Sequence, residues 1–151
     1  MKKILLIIAL LTATTISAQT SLGFSTGVLE ESNKLGLGIA STISLEQNII
    51  GDGGVGVDYS YAFVRDNNFQ QLSVVAFQEF IVDRTLSLKF SAGGARQVSG
   101  NIYPTASFDI LVKASDKVKI VLGWNPTPRG QFRDPETGWS LITTMGLIYK
   151  L

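Results

Sequence analysis

The chain has 151 residues, a formal net charge of +1, no histidine and no cysteine. The small charge gives no electrostatic reason to expect nucleic acid as a partner. The absence of cysteine excludes disulfides and a lipid-modified cysteine, and the absence of histidine removes the commonest general base and metal ligand. We therefore expect no cofactor and no metal.

The first eighteen residues have the order of regions that a secretory signal peptide requires. Lys2 and Lys3 precede the apolar run 4–11, and small or polar residues lead to Ala18. The apolar run is too short for a spanning helix, which needs ~20 apolar residues. We predict a signal peptide over 1–18, cleaved after Ala18, and a single domain over 19–151 with 11 basic and 12 acidic residues.

After residue 19 the sequence alternates with a period of two, which is typical of β-strands. Eight runs follow this pattern in chain order: 21–28, 34–46, 54–63, 69–82, 85–94, 101–112, 117–124 and 139–151. No amphipathic helical period interrupts them. Either face of the run 69–81 can be taken as apolar, and we prefer the facing that places Glu79 among the small residues. An even number of strands of this length fits a transmembrane barrel.

The two faces of the runs differ in a way that favours lipid outside and a narrow interior. One face carries Leu, Ile, Val and aromatic residues without a charge, and the other is mostly Gly, Ser, Ala and Thr. Small residues suit the interior of an eight-stranded barrel. We predict an all-β, eight-stranded, antiparallel up-and-down transmembrane barrel. One alternative is a soluble periplasmic or secreted barrel whose apolar face binds a small apolar ligand, and another is a lipid-modifying envelope enzyme.

The links between runs divide between the two sides of the predicted membrane. With residue 19 in the periplasm, the periplasmic links are Glu46–Gly53, Val82–Arg84 and Ala114–Asp116. The external links are then Leu29–Lys34, Arg65–Asn68, Ser99–Asn101 and Asn125–Gly138. The longest link lies outside, as is usual for outer-membrane barrels.

Aromatic residues cluster near the predicted strand ends. Rings of this kind favour the boundary between head groups and acyl chains. We predict interface aromatics at Phe63, Phe69, Tyr103, Trp124 and Trp139 on the external side, and at Phe80 and Tyr149 on the other.

The last strand ends with polar, Gly and apolar residues at Thr144, Gly146, Tyr149 and Leu151. This spacing resembles the C-terminal signal of the small eight-stranded outer-membrane β-barrel family, in which the final residue is usually Phe or Trp instead of Leu. The resemblance implies the outer membrane of a Gram-negative bacterium, contact with its lipid, and recognition of the last strand by the barrel-assembly machinery. Family members include adhesins, resistance proteins and lipid-modifying enzymes, so the fold does not choose the function.

Charged residues on the small face are expected to meet inside the barrel: Asp58, Glu79, Lys89, Asp109 and Lys119. Because an isolated buried charge is very costly, we predict a network of ion pairs that blocks conduction. A catalytic pair of carboxylates, Asp58 with Glu79 or Asp109, is the alternative, but lysine partners are at hand and no histidine completes a catalytic set. We therefore expect the protein to have no enzymatic activity.

The link 125–138 is the natural contact surface of such a barrel, since loops on rigid scaffolds carry function. Its Arg129 and Arg133 suit lipopolysaccharide phosphates, although a solvated loop of balanced charge explains the same composition. We expect a structural or surface-contact role.

Overall fold

The computed structural model describes residues 19–31, 37–64, 67–97, 102–128 and 139–151. The predicted signal peptide and its cleavage site, Arg129, Arg133 and most of the predicted external links lie outside these ranges. Within the described residues, no helix is long and apolar enough to cross a membrane.

Eight strands account for nearly all of the described chain. They are β1 (Thr20–Glu31), β2 (Leu37–Ile50), β3 (Gly53–Val64), β4 (Asn67–Ile81), β5 (Leu86–Gln97), β6 (Ile102–Lys113), β7 (Val118–Pro128) and β8 (Trp139–Lys150). Each is at least as long as the ~9–11 residues that cross a bilayer at a tilt. The predicted number of strands is therefore confirmed.

Neighbouring strands pair antiparallel in sequence order, and β8 pairs with β1 to close the barrel. The N–H of Leu151 donates to the carbonyl oxygen of Thr20 at 2.9 Å, so the two ends of the described chain meet. The links 51–52, 82–85 and 114–117 lie at this same end, which we call the terminal end; the other is the opposite end. Closure leaves no sheet edge, as lipid requires of a spanning sheet.

Period-two alternation sorts the side chains as the sequence predicts. Small and polar residues such as Ala40, Ser60 and Ser73 are buried in the lumen. Large apolar residues point outward and are exposed: Leu22, Phe24, Ile39, Ile43, Leu45, Val57, Leu72, Val74, Phe90, Leu122, Met145 and Leu147. The soluble alternative is wrong in its premise, because the Leu and Val faces do not line the cavity. Glu79 faces inward, in the preferred facing of residues 69–81.

The first predicted periplasmic link, Glu46–Gly53, is wrong in extent. Strand β2 continues to Ile50, and the hairpin turn consists of Gly51 and Asp52 alone. Gly51 has a φ of 57°, a conformation that tight hairpins need and that glycine adopts without steric cost. A register irregularity between Asn48 and Ile50 brings the strand into this turn. Glu46 therefore lies within the barrel wall.

The link between β4 and β5 is organised by one carboxylate. Asp83 Oδ1 accepts hydrogen bonds from the backbone N–H groups of Thr85 and Leu86 and from the Thr85 hydroxyl. These backbone donors hold the pKa of Asp83 below its ordinary value, because they favour the ionised form.

Candidate functional site

The centre of the lumen holds a lysine between two carboxylates. The Nζ of Lys89 lies 2.5 Å from Glu46 Oε1 and 3.2 Å from Asp109 Oδ2. The Lys89 side chain is only 6% exposed, so it depends on these partners for the solvation it has lost. Asp109 stands beside Lys89 on the neighbouring strand, whereas Glu46 lies on β2, which is not adjacent to β5. The Lys89–Glu46 ion pair therefore crosses the lumen.

A second ion pair crosses the lumen in the same way. Lys119 on β7 donates to Glu79 Oε1 on β4, and two other strands separate β4 from β7. The Ser87 hydroxyl donates to the same carboxylate oxygen at 2.5 Å. The two crossings join opposite walls of the barrel through side chains alone.

Asp58 does not join these ion pairs, contrary to the expectation that every lumenal charge is paired. Within the described residues, its carboxylate makes no ion pair within 4.0 Å. It lines a cavity of about 70 Å³ together with Thr42, Ser44, Ser91 and Thr144. Because several polar groups line this cavity beside apolar ones, it can hold ordered water. Glu46, which the predicted network did not include, pairs with Lys89 instead.

Gly123 makes room for the central carboxylate. A Cβ atom there would lie 2.6 Å from Asp109 Oδ1 and 2.9 Å from Thr144 Oγ1. A side chain at this position would push Asp109 away from Lys89. The small residues of the lumenal face thus position the charges as well as filling a narrow space.

A polar cluster fills the lumen nearer the opposite end. The Tyr103 hydroxyl donates to Gln71 Oε1 and accepts from Gln97 Nε2 at 3.3 Å, while Gln71 Nε2 donates to Ser73 Oγ at 2.8 Å. The prediction of Tyr103 as an interface aromatic is wrong, because the residue is 2% exposed and faces inward. In the run 101–112, Tyr103 belongs to the same face as Thr105, Ser107 and Asp109. That face is the inward one, so the sequence already indicated that Tyr103 points into the lumen.

Apolar side chains complete the filling of the lumen at two levels. One buried cluster joins β1, β2, β3 and β8, and it consists of Leu29, Ala40, Ala62 and Ile142. The other lies nearer the terminal end and consists of Leu111, Val121 and Ile148. Together with the ion pairs and the tyrosine cluster, these groups fill the described lumen at both ends and surround the 70 Å³ cavity between them.

Aromatic rings on the outward face form a row across four strands. The row comprises Phe80, Phe90, Phe108 and Trp124, with ring centroids 5.9, 5.0 and 5.8 Å apart in that order. Trp124 is the seventh of the eleven residues of β7, so its predicted place at a strand end is wrong.

Three other predicted interface aromatics point outward near strand ends. Phe63, Phe80 and Tyr149 are each one residue from the end of their strands and are about half exposed. Phe69 and Trp139 belong to β4 and β8, but their side chains lie outside the described part of the structure.

Charge is excluded from most of the outward face. Among the outward side chains that the structure describes, only Glu30 and Arg96 are charged. Each is the next-to-last residue of its strand, at the opposite end of the barrel. A Lys or Arg costs ~2–4 kcal/mol at a bilayer midplane but ~0–1 kcal/mol near its surface. The outward face therefore has the charge distribution that a lipid bilayer tolerates.

The residues of the predicted assembly signal lie on the last strand and at its end. Thr144 and Gly146 face the lumen, Tyr149 faces outward, and Leu151 follows the strand at the terminal end. Gly146 also has a packing role. A Cβ atom there would lie 2.1 Å from the Phe24 carbonyl oxygen on β1.

The predicted link 125–138 begins later than expected. Strand β7 continues through Asn125 to Pro128 and pairs with β8, so only residues 129–138 remain between the two strands. Pro126 and Pro128, which the sequence analysis placed in the link, therefore belong to β7.

Glu46 and Gln71 are among the described lumenal residues that the sequence analysis missed. Glu46 has the same parity as Thr42 and Ser44, so continuing the alternation by one step would have placed it inside. Gln71 has the parity of Glu79 on the same strand. Among the described residues, no group of acidic side chains is arranged to hold a metal ion.

A closed eight-stranded barrel with an apolar outer face and a lumen filled by side chains is typical of transmembrane β-barrels. No protein-family model matches this chain, and no curated protein matches it in sequence. Solved structures do. A de novo designed transmembrane β-barrel is 14% identical with a TM-score of 0.65, covering 87% of this chain and 95% of the design.

Two natural outer-membrane proteins are similar in structure. Neisserial surface protein A is 13% identical with a TM-score of 0.64, over 89% of this chain and 97% of that protein. The attachment invasion locus protein of Yersinia pestis, in complex with the heparin analogue sucrose octasulfate, is 13% identical with a TM-score of 0.57, with the same coverage. The chain has the fold of these eight-stranded barrels.

Proposed function

We propose that this protein is an integral barrel of a Gram-negative outer membrane that does not conduct and that serves a structural or surface-contact role. The terminal end lies in the periplasm and the opposite end at the cell surface. The short links and both termini then lie inside, as is usual for such barrels. The barrel-assembly machinery would read the last strand.

The filled lumen within an apolar belt is the observation that carries this proposal. Lys89 on β5 pairs with Glu46 on β2, and Lys119 on β7 pairs with Glu79 on β4. Each ion pair therefore spans two intervening strands. An eight-stranded barrel leaves side-chain room only, and here that room holds ion pairs, amides and apolar groups. Such a lumen favours a barrel with a structural or surface-contact role over one that transports solutes.

A carboxylate enzyme remains less well supported than a structural barrel. Asp109 and Glu79 are both engaged by lysines, and Asp58 faces a cavity without a histidine or a second free carboxylate beside it. A general acid–base pair needs groups within reach of a shared substrate and of a suitable pKa. No contact of the described residues favours that chemistry.

Conductance tests the sealed lumen. The chain without residues 1–18, refolded and inserted in a planar lipid bilayer, should give no unitary conductance. A variant with Glu46→Ala, Lys89→Ala, Asp109→Ala and Asp58→Asn removes the central crossing without leaving a carboxylate alone in the cavity, and it should conduct if it stays folded. Steady channel openings by the wild-type protein would contradict the proposal.

The surface-contact part of the proposal concerns the segment 129–138. It leaves β7 and returns to β8 at the opposite end, and its sequence includes Arg129 and Arg133. Guanidinium groups bind phosphate and sulfate oxygens in a bidentate manner. The similar Yersinia protein is seen with a sulfated heparin analogue; for this chain we propose lipopolysaccharide phosphate as the group contacted.

Replacing both arginines tests this contact. Arg129→Ser with Arg133→Ser should weaken binding of lipopolysaccharide to the purified barrel by roughly tenfold, or about 1.4 kcal/mol, and the loss should shrink at high salt because exposed charges are screened. Arg84→Ser, in an exposed link at the terminal end, is the matched control and should leave binding unchanged. Equal binding by the double variant would exclude this contact while leaving the membrane barrel intact.

A further inference from the structure

The cavity of about 70 Å³ in the lumen is lined by more negative than positive charge. Its lining includes the carboxylates of Glu46, Asp58 and Asp109 and the ammonium group of Lys89. Glu46 and Asp109 share Lys89, whereas Asp58 makes no ion pair within the described residues. With these groups ionised, three negative charges and one positive charge give the described lining a net charge of −2.

The second cross-lumen ion pair does not offset this charge. Lys119 and Glu79 pair with each other, so together they add no net charge, and neither lines the cavity. A charge taken out of water is very costly unless it meets an opposite charge and hydrogen bonds. The cavity therefore favours a guest that carries positive charge.

Hydroxyl groups without hydrogen-bond partners also line this cavity. Ser91 is 8% exposed and lines the cavity, and its side chain makes no hydrogen bond within the described residues. The hydroxyls of Ser44, Ser107 and Thr144 line the cavity as well, and none of them bonds to another described residue. Because burying an unpaired hydroxyl is unfavourable, these oxygens are available to a guest that takes oxygen ligands.

The oxygen atoms come from different walls of the barrel. Ser44 and Asp58 are cross-strand partners on β2 and β3, and Ser91 and Ser107 are cross-strand partners on β5 and β6. Directly paired side chains on one face of a sheet have Cβ atoms ~5 Å apart. Thr144 adds a hydroxyl from β8. One carboxylate without an ion-pair partner and four hydroxyls thus surround one small volume.

The chemistry of these ligands selects the kind of guest. Ordered water would bond to the hydroxyls, but it would leave the net charge unchanged. Divalent ions such as Ca²⁺ use several carboxylate oxygens, and no group of acidic side chains among the described residues is arranged in that way. Apolar clusters lie on both sides of the cavity, which favours a bare ion over an organic cation.

We propose that the cavity is a binding site for a monovalent inorganic cation. The Asp58 carboxylate supplies the charged ligand, and the hydroxyl oxygens of Ser44, Ser91 and Thr144 supply neutral ones. The ion would connect β3 with β5 and β8, in addition to the crossings that the ion pairs make. This inference goes beyond the proposed structural role, and it depends on the closed barrel but not on the membrane around it.

Amide chemical shifts measure the binding of sodium, the probe ion. The chain without residues 1–18 is refolded in zwitterionic phosphocholine micelles at constant ionic strength, with sodium chloride replacing N-methylglucamine chloride in steps. Refolding in each salt lets the ion enter before the barrel closes. The amides of Ser44, Asp58, Ser91 and Thr144 should shift saturably with sodium, whereas the amide of Asp116, whose side chain is exposed, should not.

Three variants test the ligands. Asp58→Asn keeps the shape of the side chain and removes its charge, so the sodium concentration at half-saturation should rise at least roughly tenfold. Ser91→Ala keeps the net charge and removes one ligand, and a rise of roughly threefold is expected. Asp116→Asn removes a carboxylate from an exposed link; it is the matched control and should bind sodium as the wild type does.

Three results would overturn the cation site. The first is no saturable shift with sodium; movement of the same amides between mildly alkaline and mildly acidic pH would then identify a proton as the group that reduces the charge. The second is undiminished sodium binding by Asp58→Asn. The third is tighter binding of calcium than of sodium, lost in Asp58→Asn, which would contradict a monovalent ion.

Failure of the site is distinguishable from failure of the proposed function. A chain that does not refold in any salt has one electrophoretic mobility with and without boiling, and that result would contradict the closed barrel itself. Absence of sodium binding by a folded barrel would leave the proposed structural or surface-contact role intact, because conductance and lipopolysaccharide binding test that role separately.

Discussion

Replacing Lys89 with Met is expected to lower the free energy of unfolding by about 3–5 kcal/mol, the usual loss when one partner of a buried ion pair is removed. Glu46 and Asp109 would face each other across the lumen without a cation, beside Asp58. Urea titration of the barrel in lipid vesicles, followed by tryptophan fluorescence, measures the change. Among the described lumenal residues, no other single substitution removes as many ion-pair partners at once.

Two further variants separate this cause from a general loss of packing. Lys119→Met also removes a cross-lumen ion pair, but it leaves one carboxylate instead of two, and Glu79 keeps the Ser87 hydroxyl as a donor. Because the Lys119 side chain is also 36% exposed, a smaller loss than for Lys89→Met is expected. Adding Glu46→Gln, Asp109→Asn and Asp58→Asn to Lys89→Met should restore most of the stability, because the carboxylates that Lys89 faced are then neutral. If Lys89→Met cost no more than Lys119→Met, the central ion pairs would not stabilise the barrel.

Replacing Gly146 with Val should prevent closure of the barrel between β8 and β1. The new Cβ would lie 2.1 Å from the Phe24 carbonyl oxygen and 2.4 Å from the Ser25 Cα. These are backbone atoms of the adjacent strand, so the two strands must separate, at a cost of about 1–3 kcal/mol or more. The measurement is the yield of folded barrel after refolding into detergent micelles, read from electrophoresis without boiling.

Refolding without other proteins also separates two roles of Gly146. The sequence resemblance assigns it to a signal that the assembly machinery reads, whereas the packing against β1 is a property of the barrel itself. Gly94→Val is the matched control, since a Cβ atom at Gly94 would meet nothing within 4 Å. Normal refolding of Gly146→Val in micelles would show that the close approach of β1 does not constrain this position.

The architecture could be predicted from sequence because period-two alternation shows which side chains of a strand point outward and which point into the barrel. The outward side chains are the ones that contact lipid. The alternation of Val57, Tyr59 and Phe63 with small residues survives in the structure unchanged. Closure follows from the cost of open edges in hydrocarbon, so the topology needed no information beyond the count and order of strands.

The contacts inside the lumen were harder to predict. Glu46 was assigned to a link because Gly51, Gly53 and Gly54 follow it closely, and a glycine-rich stretch normally marks a turn. Its partner Lys89 lies on β5, which is separated from β2 by two other strands. Which side chains meet across a barrel depends on the stagger of the strands, and alternation within one strand does not contain that information.

Tyr103 and the prolines show a second limit. Tyr103 was placed at the interface because rings are common there, although its parity faces the lumen, where Gln71 and Gln97 satisfy its hydroxyl. Pro126 and Pro128 fell within the predicted link 125–138 because the alternating run ended at residue 124. In the structure both belong to β7 and pair with Leu141 and Trp139 of β8, since proline is tolerated in a strand where its missing N–H is not needed by the ladder.

Function is less determined than fold. A designed barrel and two bacterial surface proteins have similar structures at 13–14% identity, so the same architecture serves unrelated purposes. The proposals therefore rest on residues particular to this chain: the crossed ion pairs and the arginines at 129 and 133.

Fractionation of cells that express the full chain, followed by electrophoresis with and without boiling, tests the central claim most directly. A closed membrane barrel should be recovered in outer membranes and should migrate differently before and after heating, because detergent alone does not open it. Recovery in the soluble periplasmic fraction, with one mobility at both temperatures, would contradict a membrane location for the apolar outer face.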